Sequence, residues 1–202
     1  GSKISVHHID GSTCPQALVD FLHGTLEAEL DRGLTYPHEY PIGAEGFVDY
    51  FFGGDVFLGI AYMEAVNASE PSTLEEALAG RALEDCVAGA YYIKPNYPGR
   101  SSHICNGGFL VPSSWRGKRY GLLLAKSYLH YAPQLGYRAS VFNLVFKNNL
   151  ASIAIWDRLG FQRTGLIPEA GRLKKSDGTG EEYVDAIVYY KSFVEDASAE
   201  HQ

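Results

Sequence analysis

The chain has little of what marks several large classes of protein. Its 202 residues include only three cysteines, an odd number without CxxC spacing: Cys14, Cys86 and Cys105. A disulfide scaffold is therefore not expected, and a reducing, intracellular setting is favoured. Because no Cys/His pair has the spacing of zinc ligands, no metal site is predicted, and His7-His8 alone is too weak a signal for one.

Positive charge and long apolar runs are also scarce. The formal net charge is −7, which argues against a general nucleic-acid-binding protein, since such proteins present a basic face. No apolar run reaches membrane-spanning length, so no membrane partner is predicted. The length suits one domain over residues 1–202, with residues 1–2 typical of a tag remnant and residues 195–202 expected to fray.

Hydrophobic periodicity predicts helices and strands in alternation. Apolar residues recur with a helical period from Pro15 to Leu30, and Gly33 is placed to end that helix. Further predicted helices lie at 46–52, directly after 121 and at 149–159, and strands at 55–65, 86–94, 103–111, 138–146, 161–167 and 183–190. The polar, acidic segment 66–85 is predicted as a mobile insertion that is partly helical. This order indicates an α/β (α+β) mixed sheet with helices on both faces.

One loop carries a concentrated anion signal. In SSWRGKRYGLLLAKSYLHYA, residues 113–132, three basic residues and two glycines stand between a strand and a buried helix. A helix N-terminus has unpaired N–H groups and a partial positive charge, so an anion site is predicted there. Neither a P-loop nor a GxGxxG fingerprint is present.

This loop resembles the pyrophosphate loop of the GNAT acetyltransferases, Gln/Arg-x-x-Gly-x-Gly/Ala. The chain keeps Arg116 and Gly121 and has Arg119 at the middle glycine. The segment NLASIAIWDRLGFQRTG is similar to a second GNAT pattern, with Asn149, Trp156 and Gly160-Phe161 at its spacing and Trp in place of the usual Tyr. The two segments and the elements around them cover about half the chain.

Three further segments resemble the fungal N-acetyltransferases that act on proline analogues such as L-azetidine-2-carboxylate. They are YYIKPNYPGRSSHICNGGFLV, HYAPQLGYRASVFNLVF and LGFQRTGLIPEAGRL. The resemblance implies a mostly antiparallel GNAT sheet splayed between two central parallel strands. It also implies a homodimeric enzyme of the cytoplasm, and of mitochondria as well, that detoxifies proline analogues.

The same resemblance assigns roles to residues. Acetyl-CoA is the expected donor, and a small amino acid the expected acceptor. Asn143 is the expected catalytic residue, and the acceptor is expected to bind at Asn106, Tyr36 and Phe109. Coenzyme A is expected to contact Phe109, Leu110, Val111, Arg116, Gly117, Lys118, Arg119, Tyr120, Gly121, Asn149 and Trp156.

The residues themselves leave alternatives open. Asn106-Gly107-Gly108 inside a strand predicts a β-bulge, or else a turn between two short strands. Asn143, in the apolar run VFNLVF, is either functional or a satisfied structural amide. Asn149 can contact pantetheine, cap its helix, or both. Tyr36, Phe47 and Phe51 either roof the acceptor pocket or pack in the core.

Proton transfer has no obvious agent in the sequence. The Trp156 indole is only a donor, so it cannot replace the tyrosine that protonates a departing thiolate in relatives. No carboxylate base is evident near Asn106 and Asn143, and His103 is better interpreted as structural. Polarisation and positioning are therefore expected to carry catalysis. The alternatives are an acetyltransferase for another amine, such as a polyamine or a protein N-terminus, and a non-catalytic CoA-binding module.

Overall fold

Seven strands form one sheet in the structure, a computed structural model that describes residues 3–62 and 70–194. In chain order they are β1 (Lys3–Ile9), β2 (Asp55–Tyr62), β3 (Val87–Pro95), β4 (Ile104–Leu110), β5 (Ala139–Phe146), β6 (Gln162–Lys174) and β7 (Glu181–Ser192). Their order across the sheet is β1-β2-β3-β4-β5-β7-β6.

The sheet is antiparallel except at its centre. There β4 and β5 run parallel and pair only at Ile104↔Ala139 and Cys105↔Ser140. Beyond these two pairs the strands separate, while each keeps its antiparallel partner on the other side. The predicted mixed sheet, splayed between two central parallel strands, is confirmed.

Helices cover both faces, as predicted. They are α1 (Gln16–Arg32), α2 (Gly43–Phe51), α3 (Leu74–Leu78), α4 (Tyr120–Gln134) and α5 (Leu150–Arg158). Leu18, Leu22 and Leu26 of α1 are buried with Phe47 and Phe51 of α2 in one hydrophobic cluster. The aromatic cluster on the other face is formed by α4 and α5 with the middle strands. At Gly33 the backbone is left-handed, and its N–H closes the last turn of α1, so the predicted end of this helix is correct.

Strand β1 was not predicted from the sequence. It runs antiparallel to β2 over its full length and forms one edge of the sheet. Its residues KISVHHI place two adjacent histidines before the last residue, and the small polar Ser5 is buried as well as Ile9. Such a strand lacks the clean apolar alternation by which half-buried strands are recognised.

The described part of the segment 66–85 packs against the sheet. Thr73 and Glu76 form a reciprocal capping box at the start of α3. The Arg81 guanidinium donates to the carbonyl of Ala61 on β2, at 2.9 Å. The partial helix is confirmed, and the mobility of the segment stays a prediction. Residues 1–2, 63–69 and 195–202 lie outside the described residues.

Candidate active site

The separation of β4 from β5 opens a cleft of about 740 Å³. The two strands line it, together with the start of α4, the start of α5, α1 and the segment after α1. All but one of the residues predicted for the site line this cleft: Tyr36, Asn106, Phe109, Leu110, Val111, Arg116, Gly117, Arg119, Tyr120, Gly121, Asn143, Asn149 and Trp156.

Lys118 is the exception. Its ammonium lies 5.2 Å from the centroid of the Trp115 ring, and the residue does not line the cleft. The prediction that Lys118 binds the cofactor is therefore not supported by its position. The backbone around it is left-handed at Gly117 and at Arg119. The basic residues on either side of Gly117 therefore differ in direction: Arg116 lines the cleft, and Lys118 lies over the ring of Trp115.

The start of α4 has the properties of an anion site. Arg119, the residue before the helix, is left-handed with a φ of 69°, and Gly117 has a φ of 74°. The Arg119 carbonyl accepts hydrogen bonds from the N–H groups of Leu122 and Leu123. The N–H groups of Tyr120 and Gly121 therefore have no carbonyl partner within the helix. No side chain in the described part of the protein caps this helix. Backbone donors and the helix dipole thus face the cleft together.

A buried carboxylate stands beside this loop. Glu29 of α1 lines the cleft with only 7% of its side chain exposed. Its oxygens accept from the Arg116 guanidinium, from the Thr35 hydroxyl and, at 3.5 Å, from Arg32. No local pattern predicted this cluster, because a single Glu near the end of an amphipathic helix is common and its partner lies 87 residues away.

Arg116 is held by hydrogen bonds within the protein. Its Nε donates to the carbonyl of Val111 at 3.0 Å, and its Nη2 donates to Glu29. Two of the five guanidinium N–H groups are used inside the protein, and three are left for other contacts. The side chain ties the loop to both α1 and the end of β4.

The predicted bulge at Asn106-Gly107-Gly108 is wrong. These residues pair with β3 in unbroken register, Asn106↔Lys94, Gly107↔Ile93 and Gly108↔Tyr92. Glycine is required for packing instead. A Cβ on Gly107 would lie 2.7 Å from the Tyr128 ring, and one on Gly108 would lie 2.5 Å from the Tyr92 ring.

The register shift that shapes the cleft lies in β5. Phe142 pairs with Tyr189 and Val145 with Ile187, so Asn143 and Leu144 together oppose one residue of β7. Such a bulge redirects side chains. Asn143 is half-buried in the cleft wall, and its amide forms a reciprocal pair with Asn96: its Nδ2 donates at 2.6 Å, and its Oδ1 accepts at 3.1 Å.

The carbonyls at the end of β4 are already engaged. The Tyr36 hydroxyl donates to the carbonyl of Phe109 at 3.1 Å, and Arg116 donates to that of Val111. These two carbonyls were expected to serve the pantetheine arm, and each keeps at most one lone pair for it. Asn106 turns its Oδ1 to the N–H of Gly107, at 2.7 Å, which leaves its NH₂ group for the cleft.

Tyrosines from β3, α2 and the segment after α1 line part of the cleft. Tyr36, Tyr50 and Tyr92 reach the cleft, whereas Phe47 and Phe51 are fully buried in the core. The Tyr92 hydroxyl donates to that of Tyr50 at 3.2 Å, so the Tyr50 proton is left for another acceptor. Burial raises the pKa of both hydroxyls above the usual value near 10, which keeps them protonated.

Helix α5 begins where the sequence predicts. The Asn149 Oδ1 accepts from the N–H of Ser152 at 3.2 Å and so caps the helix. The indole of Trp156 donates to the Ser152 hydroxyl at 2.9 Å and packs against Phe142, with ring centroids 4.2 Å apart. Its single donor is used inside the protein. His103 is exposed and bonded to the Arg100 carbonyl, outside the cleft.

Two absences hold for the part of the chain that the structure describes. No group of three or more His, Cys, Asp or Glu side chains is arranged to hold a metal ion. No helix there is both long and apolar enough to span a bilayer.

Comparison with known proteins identifies the family. Residues 55–161 match the model of the acetyltransferase (GNAT) family. The chain is 42% identical over 184 residues to N-acetyltransferase aca1 of Schizosaccharomyces pombe, covering 90% of this chain and 84% of that protein.

Solved structures show the same fold. A GCN5-related N-acetyltransferase from Kribbella flavida is similar with a TM-score of 0.70 at 21% identity, covering 94% of this chain and 97% of that one. The protein yncA from Salmonella typhimurium, solved with its cofactor acetyl-CoA, is similar with a TM-score of 0.69 at 15% identity, covering 98% of this chain and 99% of that one.

Proposed function

The chain belongs to the GNAT family of acetyltransferases, and from this premise we propose that it acetylates the amine of a small cyclic amino acid, such as the proline analogue L-azetidine-2-carboxylate. That it is an N-acetyltransferase with acetyl-CoA as donor follows from its family and relatives. The acceptor and the roles of individual residues are the proposal.

The observation that carries the acceptor class is the chemistry of the cleft lining. Among the described residues that line the cleft, Glu29 is the only carboxylate, and it is bonded to Arg116 and Arg32. A polyamine needs unpaired carboxylates. An amino acid instead needs donors for its carboxylate, and the Asn106 NH₂ and the Tyr50 hydroxyl are such donors. The lining therefore favours a small amine that carries a carboxylate.

The lining also fits coenzyme A. Unpaired backbone N–H groups at the start of α4, with Arg116 and Arg119, would hold the pyrophosphate, and the strand ends at Leu110 and Val111 would flank the pantetheine arm. When bound, acetyl-CoA supplies an activated acetyl thioester. Each charge–dipole contact contributes about 0.3–1 kcal/mol, so several must act together.

The acyl transfer itself is assigned to Asn143. Its amide keeps one N–H and one oxygen lone pair beyond those used by Asn96. The N–H can steady negative charge that develops on an acyl oxygen, and the lone pair can accept from an amine N–H. The described cleft holds no unpaired carboxylate base, so the site is proposed to select the neutral amine and hold it in place. Trp156 takes no part in proton transfer.

Three broader proposals rest on the resemblance to the proline-analogue acetyltransferases and not on the site. They are that residues 1–202 form one domain that assembles as a homodimer, that the enzyme acts in the cytoplasm and also in mitochondria, and that it detoxifies proline analogues.

The test is thiol release from acetyl-CoA with a panel of amines: L-azetidine-2-carboxylate, L-proline, spermidine and a short peptide with a free N-terminus. The proposal predicts the largest kcat/KM with L-azetidine-2-carboxylate. A larger kcat/KM with spermidine or the peptide would contradict the proposed acceptor and indicate a polyamine or a protein N-terminus instead. Binding of acetyl-CoA without turnover of any amine would indicate a non-catalytic module.

A further inference from the structure

The reciprocal amide pair between Asn96 and Asn143 joins two separate parts of the fold. Asn96 follows β3 and is held there by its N–H, which donates to the carbonyl of Ile104 at 2.8 Å. Asn143 lies in the bulge of β5, 47 residues later. The two amides thus meet close to the point where the strands of the cleft separate, near the pair Cys105↔Ser140.

We propose that Asn96 is a positioning residue for acyl transfer, which fixes the amide of Asn143 so that its remaining N–H and lone pair face the cleft. This inference rests on the proposed role of Asn143. The two bonds hold the Asn143 amide in one plane. They also prevent it from turning over alone, because a half turn would place oxygen against oxygen and NH₂ against NH₂.

A bulge makes such a restraint necessary. Asn143 and Leu144 lie where the ladder to β7 is interrupted, so the ladder fixes the backbone there less firmly than in a regular strand. Leu144 beside it is exposed and gives little packing. Among the described residues, the two hydrogen bonds from Asn96 are therefore the direct side-chain restraint on the Asn143 amide. A misplacement of about 1 Å at a reacting group can cost on the order of 10²-fold in rate.

The experiment measures kcat and both KM values for Asn96→Ala, Asn143→Ala and the double variant, with acetyl-CoA and the amine that the wild type turns over fastest in the panel above. We expect Asn96→Ala to lower kcat roughly 10- to 100-fold with the KM for acetyl-CoA unchanged. The same substitution should have no further effect on kcat in the Asn143→Ala background, because Asn96 acts through Asn143.

Two further variants separate positioning from folding. Asn96→Asp keeps the size and can accept from the Asn143 NH₂, but it cannot donate to the Asn143 oxygen, so kcat should also fall. Ser102→Ala, an exposed position on the same loop, is the matched control and should leave kcat unchanged. Melting temperatures accompany each variant, and Asn96→Asp decides the matter if Asn96→Ala does not fold.

The outcomes are distinct. Wild-type kcat in folded Asn96→Ala or Asn96→Asp, with a large loss in Asn143→Ala, would overturn this inference and leave the proposed function standing. Losses that multiply in the double variant would also overturn it, since Asn96 would then act independently of Asn143. Wild-type kcat in Asn143→Ala would instead remove the catalytic assignment on which both depend.

Discussion

Replacement of Arg116 by alanine should destabilise the protein by leaving a carboxylate buried without its main partner. Glu29 is 7% exposed in its side chain and Arg116 is 37% exposed, so the cost falls on Glu29. Breaking a fully buried ion pair from one side costs about 3–5 kcal/mol. Here Thr35 and the half-exposed Arg32 remain as partners, which reduces the expected loss to roughly 2–3 kcal/mol.

The matched comparison is Arg119→Ala. Arg119 also lines the cleft, but its side chain makes no hydrogen bond or ion pair among the described residues. Its backbone is left-handed, and alanine has to adopt the same conformation, so the substitution changes the side chain alone. We expect a change within about 0.5 kcal/mol. At about 2–4 °C per kcal/mol for a chain of this size, Arg116→Ala should melt roughly 4–12 °C lower, and Arg119→Ala close to the wild type.

Chemical denaturation of the two variants and of Glu29→Gln/Arg116→Ala checks the cause. The double variant should recover a large part of the stability lost in Arg116→Ala, because the neutral amide removes the unpaired buried charge. Equal stability of Arg116→Ala and the wild type, or no recovery in the double variant, would refute this account of Glu29.

Three further predictions concern the cleft and its supports. Asn106→Ala should raise the KM for the acceptor amino acid with little change in the KM for acetyl-CoA, because it removes an NH₂ donor proposed for the acceptor carboxylate; equal changes in both would contradict that placement. Gly108→Ala should cost roughly 1–3 kcal/mol in denaturation, since its Cβ would lie 2.5 Å from the Tyr92 ring; Gly24→Ala, where a Cβ meets nothing within 4 Å, is the control. Burial raises the pKa of Tyr92 above its value near 10 in the unfolded chain. The Tyr92 hydroxyl therefore contributes to stability below about pH 10, and this contribution is lost as the pH rises further. Melting temperatures from pH 8 to 11 should fall less steeply in Tyr92→Phe than in the wild type.

The sequence predicted the parts of the fold that local patterns determine. The apolar period and Gly33 located α1, and of the two compatible roles predicted for Asn149 the cap of α5 is confirmed, while the pantetheine contact stays a prediction. The splayed sheet followed from the family resemblance of several segments. Strand β1 was missed because two histidines interrupt its apolar pattern, although pairing with β2 is enough to form it.

The site was predictable by residue type but not by geometry. Asn143 stood out as a lone amide in an apolar strand, yet its bulge arises from the register between β5 and β7, which no local pattern records. Gly107-Gly108 suggested a bulge, whereas neighbouring tyrosine rings explain both glycines. Glu29 and Asn96 gave no signal, because their roles depend on partners 87 and 47 residues away.

The most direct measurement of the central claim is the turnover of Asn143→Ala at saturating acetyl-CoA and acceptor, with acetyl-CoA affinity measured on the same preparation. Loss of one oxyanion donor costs roughly 10²–10³ in turnover in other enzymes. A loss of that order with unchanged affinity and an intact melting transition is the predicted result. Near-normal turnover in the folded variant would contradict the assignment of Asn143 to the chemical step.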